Sequence, residues 1–440
     1  MPPKRNYTPR KKTKDDDEQP KKRQNVRKPK SRKPPKLNVN DDEKNNIPMI
    51  FPFLLSAIHT ASSIDDDDVK GPKNKHKSLK DRIIKSNLDE KVKTMCLDRL
   101  KHSDSDKQKQ LEWFNSLLNI PFKKYAELPI NTSNTEDEIQ NYFEEANNKL
   151  NDAIYGNDKV KEEIINYVAQ FISTNNSCAP RIIGLSGSAG VGKTAIIKRG
   201  LSEVLKRPMK FISMGGIRDS SHFLGFEYTY SGSRYGAIVQ SLIECGVMNP
   251  IIFMDELDKI SNTTDGIDIQ NLLIHLTDPV QNMKFQDKYF SGIDIDLSKV
   301  VFVFSFNDVN LISPILKDRI HIIKVPDPDD KSKVIIGQKY LIKEISPNIG
   351  IKEGDIEFSD EVMRFIIQDY CSNDKGVRGL KRCIETIMLK INTARFLGKL
   401  QKYKCLKNMK FPIKISKEMV EELIKKERDP RDDLIRSMFT

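Results

Sequence analysis

The stretch RIIGLSGSAGVGKT, residues 181–194, decides the fold of this chain. An apolar run at 181–185 leads into a glycine-rich loop of the form G-x-x-x-x-G-K-[ST], and Ile196, Ile197 and Leu201 then recur at helical spacing. Glycines allow the backbone to curl so that successive N–H groups point inward, beside the positive end of the following helix. Strand, loop and helix in this order therefore predict a phosphate-binding loop.

The positions of this loop have expected roles in binding ATP and Mg²⁺. Lys193 supplies a cation for the β- and γ-phosphates, and Thr194 offers a hydroxyl to Mg²⁺. The other positions contribute backbone N–H groups. The predicted nucleotide-binding loop consists of Gly187, Ser188, Ala189, Gly190, Val191, Gly192, Lys193 and Thr194. The alternative is a chance glycine-rich loop, which the strand before it and the helix after it disfavour.

Further apolar runs around this loop predict a parallel sheet. The runs are 181–185, 209–214, 250–254, 299–305 and 321–325. Near-continuous β-branched runs that alternate with helical stretches indicate strands buried on both faces. Helical spacing dominates before the loop and again beyond Pro326. The predicted fold class is therefore an α/β P-loop NTPase sheet with helices on both faces, followed by a small helical lid domain and preceded by a helical region.

Composition and charge divide the chain further. The first forty residues hold fifteen Lys or Arg and four acidic residues, a net of +11 out of the chain's +12. With few large apolar side chains, such a segment cannot offset its chain entropy and is predicted to be disordered. The expected organisation is a disordered basic tail at 1–46, a linker with a short apolar segment at 47–80, a helical region at 81–150, a large α/β ATPase domain at 151–326, a small helical domain at 327–427 and a C-terminal tail at 428–440.

Cysteine usage and the apolar runs bear on the setting of the protein. The six cysteines lie far apart without a Cys-x-x-Cys pair, which favours a reduced intracellular setting and gives no metal-ligand spacing. The apolar run at 47–58 is shorter than the roughly 20 residues that a bilayer requires. No apolar stretch directly follows the basic N-terminus, as it would in a signal peptide. A soluble, intracellular chain without a membrane span is expected.

Acidic and amide side chains at the ends of two other predicted strands complete the expected site. Asp255 and Glu256 follow the run at 250–254. Asp255 would hold Mg²⁺ through water, and Glu256 would polarise the attacking water. Asn307 follows the next run and would orient that water. The alternatives are acids that merely end a strand and an Asn that forms a turn. A Glu beside the Mg²⁺-binding Asp predicts hydrolysis of ATP rather than phosphate transfer.

With these pieces in order, the chain resembles the ATPase portion of the Lon family of AAA+ proteases over roughly residues 80–427. Beyond the phosphate-binding loop, the resemblance rests on 152–162 (DAIYGNDKVKE), 215–219 (GGIRD), Asn249-Pro250, 255–259 (DELDK) and Asp278-Pro279. It implies an AAA+ sheet with a helical lid, ATP hydrolysis and a homo-oligomeric ring, which in this family is a hexamer.

The resemblance also implies roles for single residues. Tyr155 and Gly156 would lie against the adenine, and Asn307 takes the sensor-1 position. Arg319 takes the position of the arginine finger that each subunit offers to its neighbour. Arg378 takes the sensor-2 position, which contacts the γ-phosphate from the lid. Without the resemblance, both arginines would be interpreted as solvated or ion-paired side chains.

The resemblance places Tyr230 in the pore loop that grips the substrate. The family has an aromatic residue, an aliphatic residue and Gly there, whereas this chain has Tyr230-Ser231-Gly232. A weaker grip or a different substrate is therefore expected. The alternative is a surface aromatic residue with a packing role.

The predicted function is an ATP-dependent motor that unfolds or remodels protein. The family's Ser–Lys protease domain is not expected here, because the sequence ends at Thr440, shortly after the small domain, and a separate protease would then be the partner. The first alternative is a nucleic-acid-associated ATPase tethered by residues 1–46, whose cations would neutralise phosphates. A localisation or solubilising role for that tail competes with it. The second alternative is a non-cycling nucleotide-binding scaffold, which would have little use for a hydrolytic Glu256.

Overall fold

The computed structural model describes residues 72–101, 107–175, 177, 179–261, 263–397, 403–406 and 411–424. The predicted basic tail, residues 47–71 of the predicted linker and the predicted C-terminal tail lie outside these residues, whereas residues 72–80 of the predicted linker belong to a helix.

In the part of the chain that the structure describes, five helices precede the sheet. They are α1 (Pro72–Lys85), α2 (Glu90–Lys101), α3 (Lys107–Asn119), α4 (Glu136–Ala153) and α5 (Asp158–Ser173). Thr135 begins α4 with a capping box, because its side chain accepts from the Glu138 backbone while the Glu138 side chain accepts from the Thr135 backbone. Trp113 and Phe114 of α3 are fully buried. These helices therefore share the hydrophobic cores of the sheet instead of forming a separate one.

The central sheet has five parallel strands in the order β2-β3-β4-β1-β5. The strands are β1 (Ile182–Ser186), β2 (Met209–Ser213), β3 (Ile251–Asp255), β4 (Val301–Phe306) and β5 (Ile320–Lys324). Each strand lies within two residues of the apolar run that predicted it, so the predicted α/β sheet is confirmed.

Both faces of this sheet are buried, which explains the near-continuous apolar runs. On one face, Ile252 and Met254 of β3 share a core with Trp113 of α3. On the other face, Ile251 and Phe253 pack with a core that includes residues of α4 and α5. Successive side chains of a strand point to opposite faces, so the inner strands β3 and β4 are apolar at nearly every position, whereas the edge strands β2 and β5 are partly exposed.

Helices connect the strands, and the helix after β1 contains a π-helical segment between two α-helical ones. It consists of Lys193–Ala195 (α6), a π-helical segment Ile196–Leu201, and Ser202–Leu205 (α7). A Cβ at Gly200 would lie 2.7 Å from Leu150 Cδ2, so glycine there lets α4 approach the π-helical segment closely. The remaining helices of this domain are α8 (Ser221–Leu224), α9 (Ala237–Cys245), α10 (Thr264–Thr277) and α11 (Pro314–Arg319), with 3₁₀ turns at Leu257–Lys259, Asn282–Lys284, Lys288–Phe290 and Val309–Leu311.

The small domain follows β5 and has its own hydrophobic core. Its elements are α12 (Asp330–Ile336), a π-helical segment Gly337–Leu341, α13 (Ile342–Ile349), β6 (Ile356–Phe358), α14 (Asp360–Tyr370), α15 (Arg378–Leu397), a 3₁₀ turn at Lys404–Leu406, β7 (Ile413–Ile415) and α16 (Lys417–Leu423). The sequence predicts helices here, and the parallel pair β6–β7 is an addition to that prediction. Strands of three residues are too short to give an apolar run.

Among the helices of the described residues, none is both long enough and apolar enough to cross a membrane.

Candidate nucleotide-binding site

The phosphate-binding loop joins β1 to α6 at the carboxyl edge of the sheet. Gly190 and Gly192 have φ angles of +80° and +97°, a conformation that residues with a Cβ rarely adopt. Gly192 directly precedes α6, so the loop ends on the positive end of a helix. The glycines of the motif are therefore required by the backbone, and the curled loop directs N–H groups toward a bound anion.

Lys193 is only 8% exposed and occupies the centre of this loop. Its ammonium group donates to the carbonyl oxygens of Gly187 and Ser188 at 2.5 and 3.0 Å, and to Asn307 Oδ1 at 2.8 Å. A lysine has three N–H donors, so all of them are used. The contact with Asn307 joins the loop to the end of β4, which brings together two residues that lie 114 positions apart in sequence.

The charges around Lys193 come from three carboxylates. Burial lowers the pKa of Lys193, and attraction to Asp255, Asp258 and Asp327 offsets part of that effect. The sequence prediction included Asp255 but neither Asp258 nor Asp327. An ammonium group surrounded by acids at the edge of a sheet is suited to bind a polyanion together with a divalent cation.

Asp255 and Glu256 lie at the end of β3, next to the loop. Glu256 has a φ of +62°, which is uncommon for a residue with a side chain and costs conformational energy. Its carboxylate accepts a hydrogen bond from Ser213 Oγ at 3.5 Å, at the end of β2. A Cβ at Gly215 would collide with Glu256 Oε2, so glycine there leaves room for the carboxylate. The strained turn and these neighbours fix where the predicted catalytic Glu256 points.

Asp258 connects the ends of β3 and β4. It is 7% exposed, and its Oδ2 accepts from the backbone N–H of Asp308 at 3.3 Å. Its Oδ1 is buried and has no hydrogen-bond partner among the described residues. Because Asp308 directly follows Asn307, Asp258 holds the backbone beside the residue that contacts Lys193.

The side chains of Thr194 and Asp255 fit a magnesium site of the kind that uses the substrate's phosphates as ligands. Mg²⁺ prefers oxygen ligands and keeps several waters, so one or two protein oxygens suffice. Thr194 follows Lys193 in α6, and the Asp255 carboxylate is close enough to Lys193 to act on its pKa. Among the described residues, no cluster of three or more acidic, His or Cys side chains forms a separate metal site. Mg²⁺ bound there would neutralise phosphate charge.

A cavity beside the loop is suited to an aromatic base. Tyr155 and Asn157 line it from the segment before α5, and Asn157 also has a positive φ, of +58°. Gly156, between them, has a φ of +64°. The remaining lining is mostly apolar and comes from both domains: Ala153, Ile154, Gly190, Val191, Gly192, Ala195, Arg199, Pro328, Ile336, Tyr340, Leu341, Glu344 and Val377. A purine in this cavity would contact both domains at once.

The small domain contacts the phosphate-binding loop directly. Val377 N–H donates to the Gly190 carbonyl oxygen at 3.2 Å. A Cβ at Gly190 would lie 3.0 Å from the Cβ of Arg378, so the predicted sensor-2 residue begins α15 against the loop. The backbone beside Arg378 is thus fixed at the site.

Ion pairs join the two domains on the other side of the cavity. Glu344 of α13 pairs with Arg199 of the π-helical segment at 3.1 Å and with Lys381 of α15 at 2.6 Å. Burial acts to raise the pKa of Glu344, but the hydrogen bonds and charges of Lys381 and Arg199 outweigh it and leave the pKa lowered. Glu344 therefore links α15 and the π-helical segment beside the cavity.

Arg319 ends α11 and is not part of the cluster around Lys193. Its guanidinium donates to the Ile274 carbonyl oxygen at 2.9 Å and to Asp278 Oδ2 at 3.1 Å, both at the end of α10. The side chain is 31% exposed. These contacts hold Arg319 at the surface of the domain.

Tyr230 is 62% exposed and lies in a loop between α8 and α9. The base of that loop is closed by a hydrogen bond from Phe226 N–H to the Arg234 carbonyl oxygen at 3.0 Å. The predicted pore-loop residue is therefore at the surface of the domain.

Comparison with known proteins places this site in a family. The model of the ATPase family associated with various cellular activities (AAA) matches residues 183–326, and that of the Lon protease AAA+ ATPase lid domain matches residues 348–403. A Lon protease homolog of Acanthamoeba polyphaga mimivirus is 36% identical over 332 residues, covering 73% of this chain and 32% of the relative. This chain carries a Lon-like AAA+ ATPase module.

Bacterial Lon proteases align over the same part of the chain. The Lon protease of Aquifex aeolicus is 33% identical over 329 residues, covering 74% of this chain and 38% of the relative. That of Parabacteroides distasonis is 34% identical over 295 residues, covering 67% and 34%. The chain spans about a third of the length of these relatives. The resemblance predicted from the sequence, to a Lon-like AAA+ ATPase module, is confirmed.

Sequence reasoning did not find several residues of the Lon-like module. Ser213 and Asp258 contact or adjoin the predicted catalytic groups, and Glu344 joins the lid to the ATPase domain. For Ser213 and Asp258, the only signal in the sequence is their position relative to the strands. Ser213 ends β2, which pairs with β3 so that Ser213 lies opposite Asp255, and Asp258 follows β3. For Glu344 the sequence carries no signal, because its partners lie far away along the chain.

Proposed function

We propose that this chain is an ATP-driven motor that unfolds or remodels protein. ATP bound between the two domains would be hydrolysed with Glu256 as the base that activates water, Asn307 orienting that water and Lys193 binding phosphate. Mg²⁺ held near Thr194 and Asp255 would neutralise charge on the phosphates. The energy released would move the loop that carries Tyr230 against a bound polypeptide.

The observation that carries this proposal is the exposed Tyr230. An aromatic ring that is 62% exposed at a loop tip has little packing value in the isolated chain. Aromatic side chains bury a large area at a low entropic cost and so suit a loop that must grip varied polypeptides. The polar Ser231 beside it leaves the ring as the main apolar contact, which supports a grip that depends strongly on Tyr230.

The motor would act as a homo-oligomeric ring, and we propose a hexamer. Arg319 supports this, because it lies partly exposed at the end of α11 and apart from the Lys193 cluster of its own chain. Offered to a neighbouring subunit, it would stabilise charge on the transferred phosphate. A separate protease is proposed as the partner that would degrade the unfolded product.

Steady-state ATP hydrolysis by the purified full chain tests the proposal. The chain is assayed alone, with unfolded casein and with DNA, and Glu256→Gln serves as the blank. Stimulation by casein, with the casein itself remaining intact on a gel, is expected. Stimulation by DNA alone, lost on removal of residues 1–46, would instead support the nucleic-acid-associated ATPase. ATP binding without turnover under any condition would support the scaffold.

Tyr230→Ala is the variant that tests the grip. Loss of the ring should raise the casein concentration for half-maximal stimulation about tenfold, as expected for truncation of a central aromatic contact. ATP hydrolysis without casein should stay within about twofold, because the hydrogen bonds of Tyr230 are to its own loop and to Lys109 and not to the Lys193 cluster. The matched control is Phe396→Ala, which removes a ring that is 78% exposed on the lid domain. Equal effects of the two variants would contradict a specific role for Tyr230.

A further inference from the structure

The loop from Phe226 to Arg234 is anchored by a second part of the molecule. Within the loop, Tyr230 N–H donates to the Glu227 carbonyl oxygen at 3.1 Å and Ser233 N–H to that of Tyr230 at 3.4 Å. The Ser233 hydroxyl donates to the Tyr228 carbonyl oxygen at 3.2 Å. Gly232, with a φ of +76°, adds conformational freedom. Such contacts alone would leave the direction of the Tyr230 ring poorly fixed.

Two cations from the N-terminal helices contact this loop. Lys109 of α3 donates through Nζ to the Tyr230 carbonyl oxygen at 2.7 Å, and the same Nζ lies 4.8 Å from the centre of the Tyr228 ring. The Arg99 guanidinium of α2 lies 4.3 Å from the Tyr228 ring centre. A charge-assisted hydrogen bond to Tyr230 and two cation–π contacts with Tyr228 therefore act on this loop.

The cations themselves rest on a buried platform. Arg99 also lies 4.2 Å from the centre of the Trp113 ring, and the Trp113 indole N–H donates to the Tyr289 carbonyl oxygen at 2.9 Å. Trp113 is fully buried and packs against Phe114 and Phe290. A rigid aromatic base of this kind allows the charged groups above it to fix the loop with little loss of side-chain entropy.

We propose that Lys109 and Arg99 are positioning residues for the substrate-contacting loop. Through the Tyr230 carbonyl and the Tyr228 ring they set the position and direction of the Tyr230 side chain relative to the domain. The helical region before the ATPase domain thereby takes part in gripping polypeptide. This inference rests on the proposed function for the identity of the substrate, while the anchoring itself is a property of the free chain.

The first test measures the response to substrate in Lys109→Met, which keeps the aliphatic stem and removes the charge and the donor. The casein concentration for half-maximal stimulation should rise about fivefold, as expected for loss of one charged hydrogen bond. ATP hydrolysis without casein should remain within about twofold. Lys109→Arg should restore most of the response, since it keeps the charge and a donor. Lys107→Met, an exposed residue of the same helix, is the matched control.

The second test measures hydrogen–deuterium exchange of residues 226–234 without any substrate. Lys109→Met should speed exchange at the Tyr230 and Ser233 amides about tenfold, and Lys107→Met should leave it unchanged. Trp113 is the chain's single Trp, so an unchanged emission maximum would show that the platform remains folded. Unchanged exchange in Lys109→Met would overturn the inference whatever casein does. Faster exchange in a chain that casein never stimulates would uphold the anchoring and reject the proposed motor.

Discussion

The nucleotide site and the Tyr230 loop lie in one domain but are held in different ways. Lys193 is 8% exposed and is fixed by two carbonyl oxygens of its own loop and by Asn307. Tyr230 is 62% exposed, and the firmest contact of its backbone comes from Lys109, which is 121 residues away in sequence. The first arrangement is mostly local and buried, whereas the second depends on side chains from another part of the chain.

This difference separates the expected consequences of mutation. A change in the nucleotide site should alter turnover whether or not polypeptide is present, because the groups contact ATP. A change in the loop or its anchor should alter only the response to polypeptide. Arg319 tests whether a neighbouring subunit contributes to the nucleotide site, since it lies outside the buried cluster of its own subunit.

The largest effect is expected for Arg319→Ala. If Arg319 completes the site of a neighbouring subunit, turnover should fall about 10³-fold with and without casein, because transition-state charge loses its partner. Binding of a fluorescent ATP analogue should change little. Measurement of kcat and of nucleotide affinity separates these two quantities.

Mixing two inactive variants checks that Arg319 acts between subunits. Arg319→Ala keeps Glu256, and Glu256→Gln keeps Arg319, so a mixed ring contains some complete sites and should regain activity. Without recovery, Arg319 would act within its own chain, through its contacts with Ile274 and Asp278. One chain would then supply all the groups of its own nucleotide site.

An intermediate effect, about tenfold in kcat, is expected for Asp258→Asn. The substitution keeps the size of the side chain but removes a charge near Lys193 and weakens the acceptor for the Asp308 N–H. If Asp258 acts through Asn307, the double variant with Asn307→Ala should be no slower than Asn307→Ala alone. Additive losses would show that Asp258 contributes independently of Asn307.

Much of the fold follows from the sequence because its determinants are local. The phosphate-binding loop is one contiguous motif, and strands buried on both faces produce apolar runs such as that of β4, which is buried at each of its positions. The capping box at Thr135 is likewise local, since its two partners lie three residues apart. By contrast, β6 and β7 are three residues each and pair across a long interval, so no periodicity marks them.

The candidate site could be predicted only where position along a strand carried the information. Parallel strands bring their carboxyl ends to one edge, which is why Asp255, Glu256 and Asn307 were found together with Lys193. Ser213 lies at that edge too, but serine ends many strands and gives no distinct signal. Lys109 could not be found at all, because an exposed lysine on a helix is usually solvated and its contact with Tyr230 depends on the packed tertiary structure.

The smallest effect on activity is expected at Asp287, which closes the base of the Tyr230 loop. Its carboxylate accepts from the Gly236 and Tyr289 N–H groups, both at 2.8 Å. Burial raises the pKa of Asp287 from 3.8 to about 6, outweighing the backbone hydrogen bonds that lower it. Basal ATP hydrolysis should therefore stay within about twofold in Asp287→Asn, whereas the pH dependence of stability should change.

The sign follows from the raised pKa. Between pH 4 and 6 the folded chain keeps the Asp287 proton while the unfolded chain loses it, so this group's contribution to stability is complete below about pH 4 and lost as pH rises through about 6. The loss amounts to at most about 3 kcal/mol for a shift of about two pKa values. Because the Asn side chain cannot titrate, thermal unfolding midpoints of Asp287→Asn relative to wild type should rise between pH 4 and 7. Asp268→Asn, at an exposed position, is the control. If the pH profiles of Asp287→Asn and wild type superimposed, burial would not shift the pKa of Asp287. The stability of the loop base would then not depend on the titration of this carboxylate.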